Sequence, residues 1–190
     1  MLAYVFWHAR DARVEDREYV ARLLEFHQAF ARSRPAGYRR SVVARVRGAS
    51  WIAAGGDAFE EWYLLDGSAA LDVVNDAAVS GACLAPHDGV ARLAAAGTAG
   101  LYRLRRGAGD EAAMRCAAWF AKPAGMKYAE MYAQLEPVVA GAGATLWGRQ
   151  MTLGPTPEFC LRSNEILVLP APFSVTWTAL APLWSSAKEE

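Results

Sequence analysis

Two strand-like stretches of this chain are apolar on both faces, and that restricts its folds more than any other feature. In LAYVFWH (2–8), Tyr4 and Phe6 alternate with Val5 and Trp7. In EEWYLL (60–65), Trp62 and Leu64 alternate with Tyr63 and Leu65. Successive side chains of a strand point to opposite faces. A four-stranded antiparallel sheet with helices on one side therefore shows a polar outer face. Here both faces need cover. The economical solution is two sheets packed face to face and closed into a barrel, with the helices outside.

The order of elements supplies the two sheets. LAYVFWH is too short for a helix and rich in β-branched and aromatic residues, which predicts a buried strand. EDREYVARLLEFHQAF (15–30) spaces Tyr19, Leu23, Phe26 and Phe30 by four, three and four, one face of an amphipathic helix with acidic residues in its first turn. SRPAGY (33–38) ends it. Strands follow at SVVARVRG (41–48) and AFEEWYLLDG (58–67), with the glycines of AAGGDA (53–58) turning the chain between them. A helix over 68–80 is capped by Ser68, APHDGVARLAAAG (85–97) makes a short helical turn, and GLYRLRRG (100–107) is a fourth strand. This is β-α-β-β-α-β, the ferredoxin-like order. After a linker, GAGDEA (107–112), the pattern restarts: strand 116–122, helix 127–139, strands 144–154 and 158–170 around the turn PTP, and a helix over SVTWTALAPLW (174–184) interrupted by Pro182. The second copy is thus β-α-β-β-α. The predicted architecture is α+β: two ferredoxin-like halves in tandem, 1–107 and 112–190, sharing one core.

That arrangement resembles the dimeric α+β barrel superfamily, as a fused tandem in which one chain does the work of two subunits. FAKPAGMKYAEMYAQL (120–135) is similar to the EthD-like pattern of a strand, a basic residue, Pro or Gly, then Gly-Met and an acidic-aromatic helix. Lys122, Gly125, Met126 and Glu130 carry the likeness. It departs at Lys127, where that family has Ser or Thr, and the first half lacks the Gly-Met step. The resemblance implies a pocket between sheet and helices in each half, and a molecule that is a monomeric pseudo-dimer or pairs as a homodimer. Superfamily members include cofactor-independent monooxygenases of polycyclic aromatics, small isomerases, lactone-handling enzymes and haem enzymes. Fold alone does not choose among them.

Composition excludes several classes. Lys+Arg and Asp+Glu balance at 20 each, so net charge implies no nucleic-acid partner. Arg39-Arg40 and Arg103–Arg106 read as solvated strand ends. Three widely spaced cysteines (Cys83, Cys116, Cys160) argue against a disulfide framework and for a reducing, cytoplasmic setting. The three histidines lack the spacing of a zinc site, and none lies in the second half, which disfavours haem held there. The expected cofactor and metal complement is none. The first eleven residues lack a basic segment of the signal-peptide kind, and no apolar run approaches the roughly 20 residues of a bilayer span. The polar stretch SSAKEE (185–190) is the one segment expected to lack order. No Walker loop, GxGxxG, GxSxG or HExxH occurs.

The polar residues set among aromatic strands carry whatever chemistry there is. His8 ends the first strand and reads either as a general base at the pocket mouth or as a strand-end histidine on a backbone carbonyl. Its counterpart in the second half is Ala121, so such a site belongs to one half. Glu61 and Tyr63 share a face with Phe59 and Leu65. Glu61 is an acid or base if turned inward, where burial without a partner is costly, and faces solvent if the strand frays. Tyr63 could hydrogen-bond a phenolic or carbonyl substrate. Arg149, in a strand beside Trp147, would hold a carboxylate or enolate, or pair with Glu165. His27 reads as a helix histidine satisfied by a neighbouring strand. His87 and Asp88 are adjacent, so their side chains are expected to diverge, with Asp88 an N-cap. Tyr4, Phe6, Trp7, Trp62 and Trp147 would line a site for a small apolar or aromatic molecule, or simply fill the core. The resulting expectation is a cofactor-independent monooxygenase or isomerase of an aromatic or polyketide-like substrate, with His8 as base and Tyr63 and Arg149 steadying oxyanion charge. The alternatives are a non-catalytic binder of an apolar ligand and a structural protein with no open pocket.

Overall fold

The computed structural model describes residues 1–52, 58–152 and 156–186. Most of the AAGGDA turn, the first residue of the PTP turn and most of the SSAKEE stretch lie outside the described residues. Among the described residues there are eight strands: β1 (Leu2–Arg10), β2 (Tyr38–Arg47), β3 (Ala58–Leu65), β4 (Ala94–Arg106), β5 (Cys116–Phe120), β6 (Thr145–Thr152), β7 (Phe159–Ser163) and β8 (Thr176–Ser185). They close into a barrel in the order β1-β3-β2-β8-β5-β7-β6-β4, with every neighbouring pair antiparallel. Closure leaves no unpaired edge. Four α-helices among the described residues lie outside it: α1 (Asp16–Ser33), α2 (Ala70–Ala78), α3 (Gly81–Ala91) and α4 (Tyr128–Gly141).

The two-faced strands sort their side chains as the alternation demands. Odd residues of β1 (Ala3, Val5, Trp7, Ala9) enter the barrel with Trp62, Tyr102, Trp119 and Trp147. The opposite face meets helices: Leu2, Phe59, Tyr63 and Leu65 pack under α1 with Tyr19, Leu23, Phe26 and Phe30. A third cluster joins Ala118, Phe120, Leu146 and Leu161 to α4 through Met131, Leu135 and Val139. Each fully buried large apolar side chain contributes roughly 1.5–3 kcal/mol of transfer free energy.

The barrel lumen also holds charge. Arg162 on β7 lies between Glu60 on β3 and Glu111, which belongs to a short 3₁₀ turn (Glu111–Ala113) in the predicted linker. Trp7 and Trp62 donate their indole N–H groups to Glu60 at 2.8 and 2.7 Å, and Trp147 donates to Glu111 at 3.0 Å. Trp7, Trp62 and Trp147 are therefore core residues with satisfied indoles, and they stand apart from the cavity described below.

Four local expectations are corrected. The segment expected as a final helix is strand β8, placed between β2 and β5. Its alternating Thr176, Thr178 and Leu180 suit a ladder, and Pro182 falls where the register with β2 shifts. Helix α2 starts at Ala70 with Ala69 as N-cap and no side-chain cap, so Ser68 does not cap it. Asp88 lies inside α3, which begins at Gly81. Strand β4 starts at Ala94, six residues before its predicted start, within the expected helical turn. In the second half, Leu167, Leu169, Phe173 and Val175, from the stretch between β7 and β8, pack on the α4 cluster.

Candidate active site

A cavity of about 580 Å³ lies between the outer face of β1, β3 and β4 and the helices α1 to α3. Its walls are largely apolar, with Phe6, Phe26, Phe30, Val74, Val90 and Ala94 among them. The polar groups at its floor are Tyr4, His8, Tyr19, Glu61 and Tyr63. That volume and composition suit a small organic ligand.

Strand alternation and helix periodicity bring these groups together. His8 and Glu61 sit on adjacent antiparallel strands, on the face under α1, and α1 contributes Tyr19 and His27 from one stripe eight residues apart. All are inaccessible: His8 is 1% exposed, His27 0% and Glu61 4%. The strand is not frayed at Glu61, so the inward alternative holds. The Glu61 carboxylate lies between two imidazoles. His8 Nε2 is 2.6 Å from Oε1, off the N–H axis, so that contact is chiefly electrostatic. His27 Nε2 lies 2.8 Å from Oε2, and the Tyr63 hydroxyl donates to the same oxygen. On the far sides, Tyr19 Oη is 2.5 Å from His8 Nδ1, and Ser41 Oγ is 3.2 Å from His27 Nδ1. His8 is also stacked between Phe6 and Phe59, with ring centres 5.2 and 5.3 Å away.

Electrostatics define the resting state. Burial alone would raise the pKa of Glu61, but the His27 and His8 imidazoles on either side of the carboxylate outweigh it and hold the carboxyl well below its ordinary range. Glu61 is thus an acceptor. The tyrosines around it move the other way: burial first, then the Glu61 charge, raises Tyr63, Tyr19 and Tyr4. None becomes a phenolate near neutrality. The atoms that would ligate a metal are turned on one another, and among the described residues no group of His, Cys, Asp or Glu is arranged to hold one.

The predicted site residues divide cleanly. The cavity brings together His8, Glu61, Tyr63, Tyr4 and Phe6. The hydroxyl of Tyr4 has no hydrogen-bond partner among the described residues, whereas that of Tyr63 is committed to Glu61. Arg149 is exposed on β6, donates to the Thr156 carbonyl at 2.6 Å rather than pairing with Glu165, and lies outside the cavity lining. His87 lines the cavity beside Phe26, and its Nδ1 comes within 3.2 Å of Asp88 Oδ1, so these neighbours converge where divergence was expected. Sequence reasoning passed over Tyr19 and Ser41 and gave His27 no role at the site. One signal was present: His27 stands four residues after Leu23 and eight after Tyr19, in the buried stripe of α1. A second depression, of about 600 Å³, is lined by Arg39, Arg40, Asp66 and Asp110. Two of its guanidinium groups are taken up by carboxylates of the same lining, Arg39 by Asp66 and Arg40 by Asp110. Cys83, Cys116 and Cys160 are buried free thiols, and no helix among the described residues is long and apolar enough to cross a membrane.

No family model and no curated protein sequence matches the chain. Solved structures do share its fold. A candidate monooxygenase of Fusobacterium nucleatum subsp. nucleatum superposes with a TM-score of 0.67 over 97% of this chain and 93% of its own, at 8% identity. An anthrone oxidase-like protein superposes with a TM-score of 0.58 over 97% and 92%, also at 8% identity. At such identity the likeness establishes the fold, an α+β barrel, and nothing finer.

Proposed function

We propose that this protein is a cofactor-independent oxygenase that removes a proton from an activated carbon of a neutral aromatic ketone and passes the resulting carbanion to dioxygen. The observation that carries the reading is the His8–Glu61 pair at the floor of an aromatic cavity, backed by His27, with the unpartnered Tyr4 hydroxyl beside it. The two structural neighbours, one described as a candidate monooxygenase and one as anthrone oxidase-like, support the same chemistry.

In this reading His8 is the base and Tyr19 is the atom of contact. Tyr19 hands its hydroxyl proton to His8 Nδ1 as it takes the proton from carbon. Burial disfavours a free phenolate, so the two transfers are concerted. Tyr4 donates a hydrogen bond to the ketone oxygen as negative charge develops there. The carbanion reduces dioxygen and combines with it. The peroxide takes back the proton from His8, then loses water with the second C–H proton, leaving a carbonyl. The balance is one CH₂ and one O₂ to one C=O and one H₂O. Tyr63 serves the base by donating to Glu61, and Arg149 has no part.

We further propose that the barrel is two ferredoxin-like units in tandem, 1–107 and 112–190. The strand orders β4-β1-β3-β2 and β8-β5-β7-β6 support this, because they are the same order in each half. The active site then belongs to the first unit.

The test is oxygen uptake with anthrone, a tricyclic ketone with an acidic CH₂. One O₂ consumed per quinone formed supports the proposal, with His8→Ala lowering the rate by about 10²–10⁴ and Tyr4→Phe by up to about 10². Saturable binding of anthrone without turnover, unaffected by His8→Ala, would replace it with the non-catalytic binder.

A further inference from the structure

The site extends beyond the cavity along a second arm. Behind His27, Ser41 Oγ lies 2.8 Å from Tyr38 Oη, which lies 3.2 Å from Ser186 Oγ. Ser186 Oγ also accepts the Ser41 backbone N–H at 3.0 Å, and the Trp184 ring packs 5.6 Å from the His27 ring. Trp184 is on β8 and Ser186 directly follows it, so the arm is anchored by a strand from the other half of the sequence.

The polarity of this arm follows from one fact. An ionised carboxylate can only accept. His27 Nε2 therefore donates to it, and His8 Nε2, 2.6 Å from Oε1, carries hydrogen because a lone pair there would be repelled by the carboxylate; in the neutral rings both Nδ1 atoms must then accept. Tyr19 donates to His8 Nδ1. Ser41 donates to His27 Nδ1, which leaves Ser41 Oγ to accept from Tyr38, and Tyr38 to accept from Ser186. Every hydroxyl in the arm then points its proton inward. No other assignment satisfies all the contacts with neutral imidazoles.

We infer that His27, oriented by Ser41, Tyr38 and Ser186, is a positioning residue that keeps Glu61 a pure acceptor and so fixes His8 with its proton on Nε2 and its lone pair on Nδ1, toward Tyr19. The choice of tautomer decides which nitrogen can act, because the atom opposite the orienting carboxylate is the basic one. Glu61 orients His8, and His27 with Tyr63 occupies the other oxygen of Glu61 so that it does not rotate or take up a proton instead. The sense of the word base rests on the proposed function, whereas the tautomer does not.

The experiment uses the full chain with ¹⁵N-labelled histidine and reads ring-nitrogen shifts without substrate. In the wild-type protein His8 and His27 are expected to show hydrogen on Nε2 and an unprotonated Nδ1. Ser41→Ala removes the donor to His27 Nδ1, and both rings are expected to lose their single tautomer. His27→Leu is expected to give a protonated or mixed His8, and His27→Gln, whose amide N–H₂ can replace the lost donor, to restore the wild-type pattern. A wild-type His8 carrying hydrogen on Nδ1 would overturn the inference. So would an unchanged His8 spectrum in Ser41→Ala. Ser41→Ala keeps the test open if His27→Leu does not fold, as judged by the indole N–H signals of Trp119 and Trp147. Failure of anthrone turnover would leave these spectra untouched, so the two proposals fail separately.

Discussion

A carboxylate held between two imidazoles makes Glu61 the residue on which the site depends. Its folded-state pKa lies below the ordinary value of 4.5. The stability it contributes is therefore present above that value and lost as the pH falls toward the folded value. The wild-type protein is expected to lose stability on acidification below the ordinary carboxyl value of 4.5, as read by urea midpoints from about pH 6 to about pH 3. In catalysis the order of effects should reflect contact. Tyr19→Phe removes the shuttle but uncovers His8 Nδ1, so its rate should fall by less than that of His8→Ala, about 10-fold against about 10²–10⁴. Parallel oxygen-uptake assays on the two variants check this order. Part of this constellation was legible in the sequence. His8, Glu61, Tyr63, Tyr4 and Phe6 stand at alternate positions of strands, so their shared face followed from period two. Tyr19, His27 and Ser41 join them only through the docking of α1 on the sheet, and a helical stripe does not say which strand residues it will meet. Arg149 was misplaced. Alternation places it on the face of Trp147, which enters the barrel, and so away from the helix-covered face on which the cavity lies.

Elements are held in place here by close approaches as much as by burial. Gly107, just after β4, has φ +83°, and an added Cβ would overlap the Ala144 carbonyl. Gly107→Ala should destabilise the fold by about 2–4 kcal/mol, combining left-handed strain with overpacking, measurable by chemical denaturation. Gly97 on β4 is a different case. Its φ is unremarkable, but an added Cβ would press on the Phe6 ring, which stacks on His8. Gly97→Ala should therefore affect ligand affinity at the cavity more than global stability, and comparing binding titrations with denaturation midpoints separates the two. The strands and long helices were readable because their apolar patterns are strong. Strand β8 was not, because symmetry with the first half invited a helix where Thr176, Trp177 and Thr178 are better suited to a strand. The boundaries near α2 and α3 failed because those helices are short and lack side-chain caps, leaving little local signal.

At the scale of the whole molecule, the barrel is a single cooperative object tied across its lumen. Arg162 from β7 bridges Glu60 of β3 and Glu111. Removing it strands two buried carboxylates, so Arg162→Met should cost about 3–5 kcal/mol. Burial raises the pKa of Glu111 despite Arg162. A double variant with Glu111→Gln should accordingly lose less than the sum of the single changes, and a denaturation double-mutant cycle reads that coupling. The closed barrel itself was legible from strands apolar on both faces, which an antiparallel sheet with helices on one side would leave uncovered. The ionic tie was not, because Glu60, Glu111 and Arg162 are far apart in sequence and nothing local marks them as partners. The position of β8 carries a consequence for how the protein comes into being. It is translated after the other seven strands, yet it fills the gap between β2 and β5 in the middle of the sheet order. Until it leaves the ribosome, those two edges stay open and prone to pairing with other chains. A nascent chain of this protein is thus most vulnerable late in synthesis, and a stalled or prematurely stopped message should yield aggregate rather than a smaller barrel.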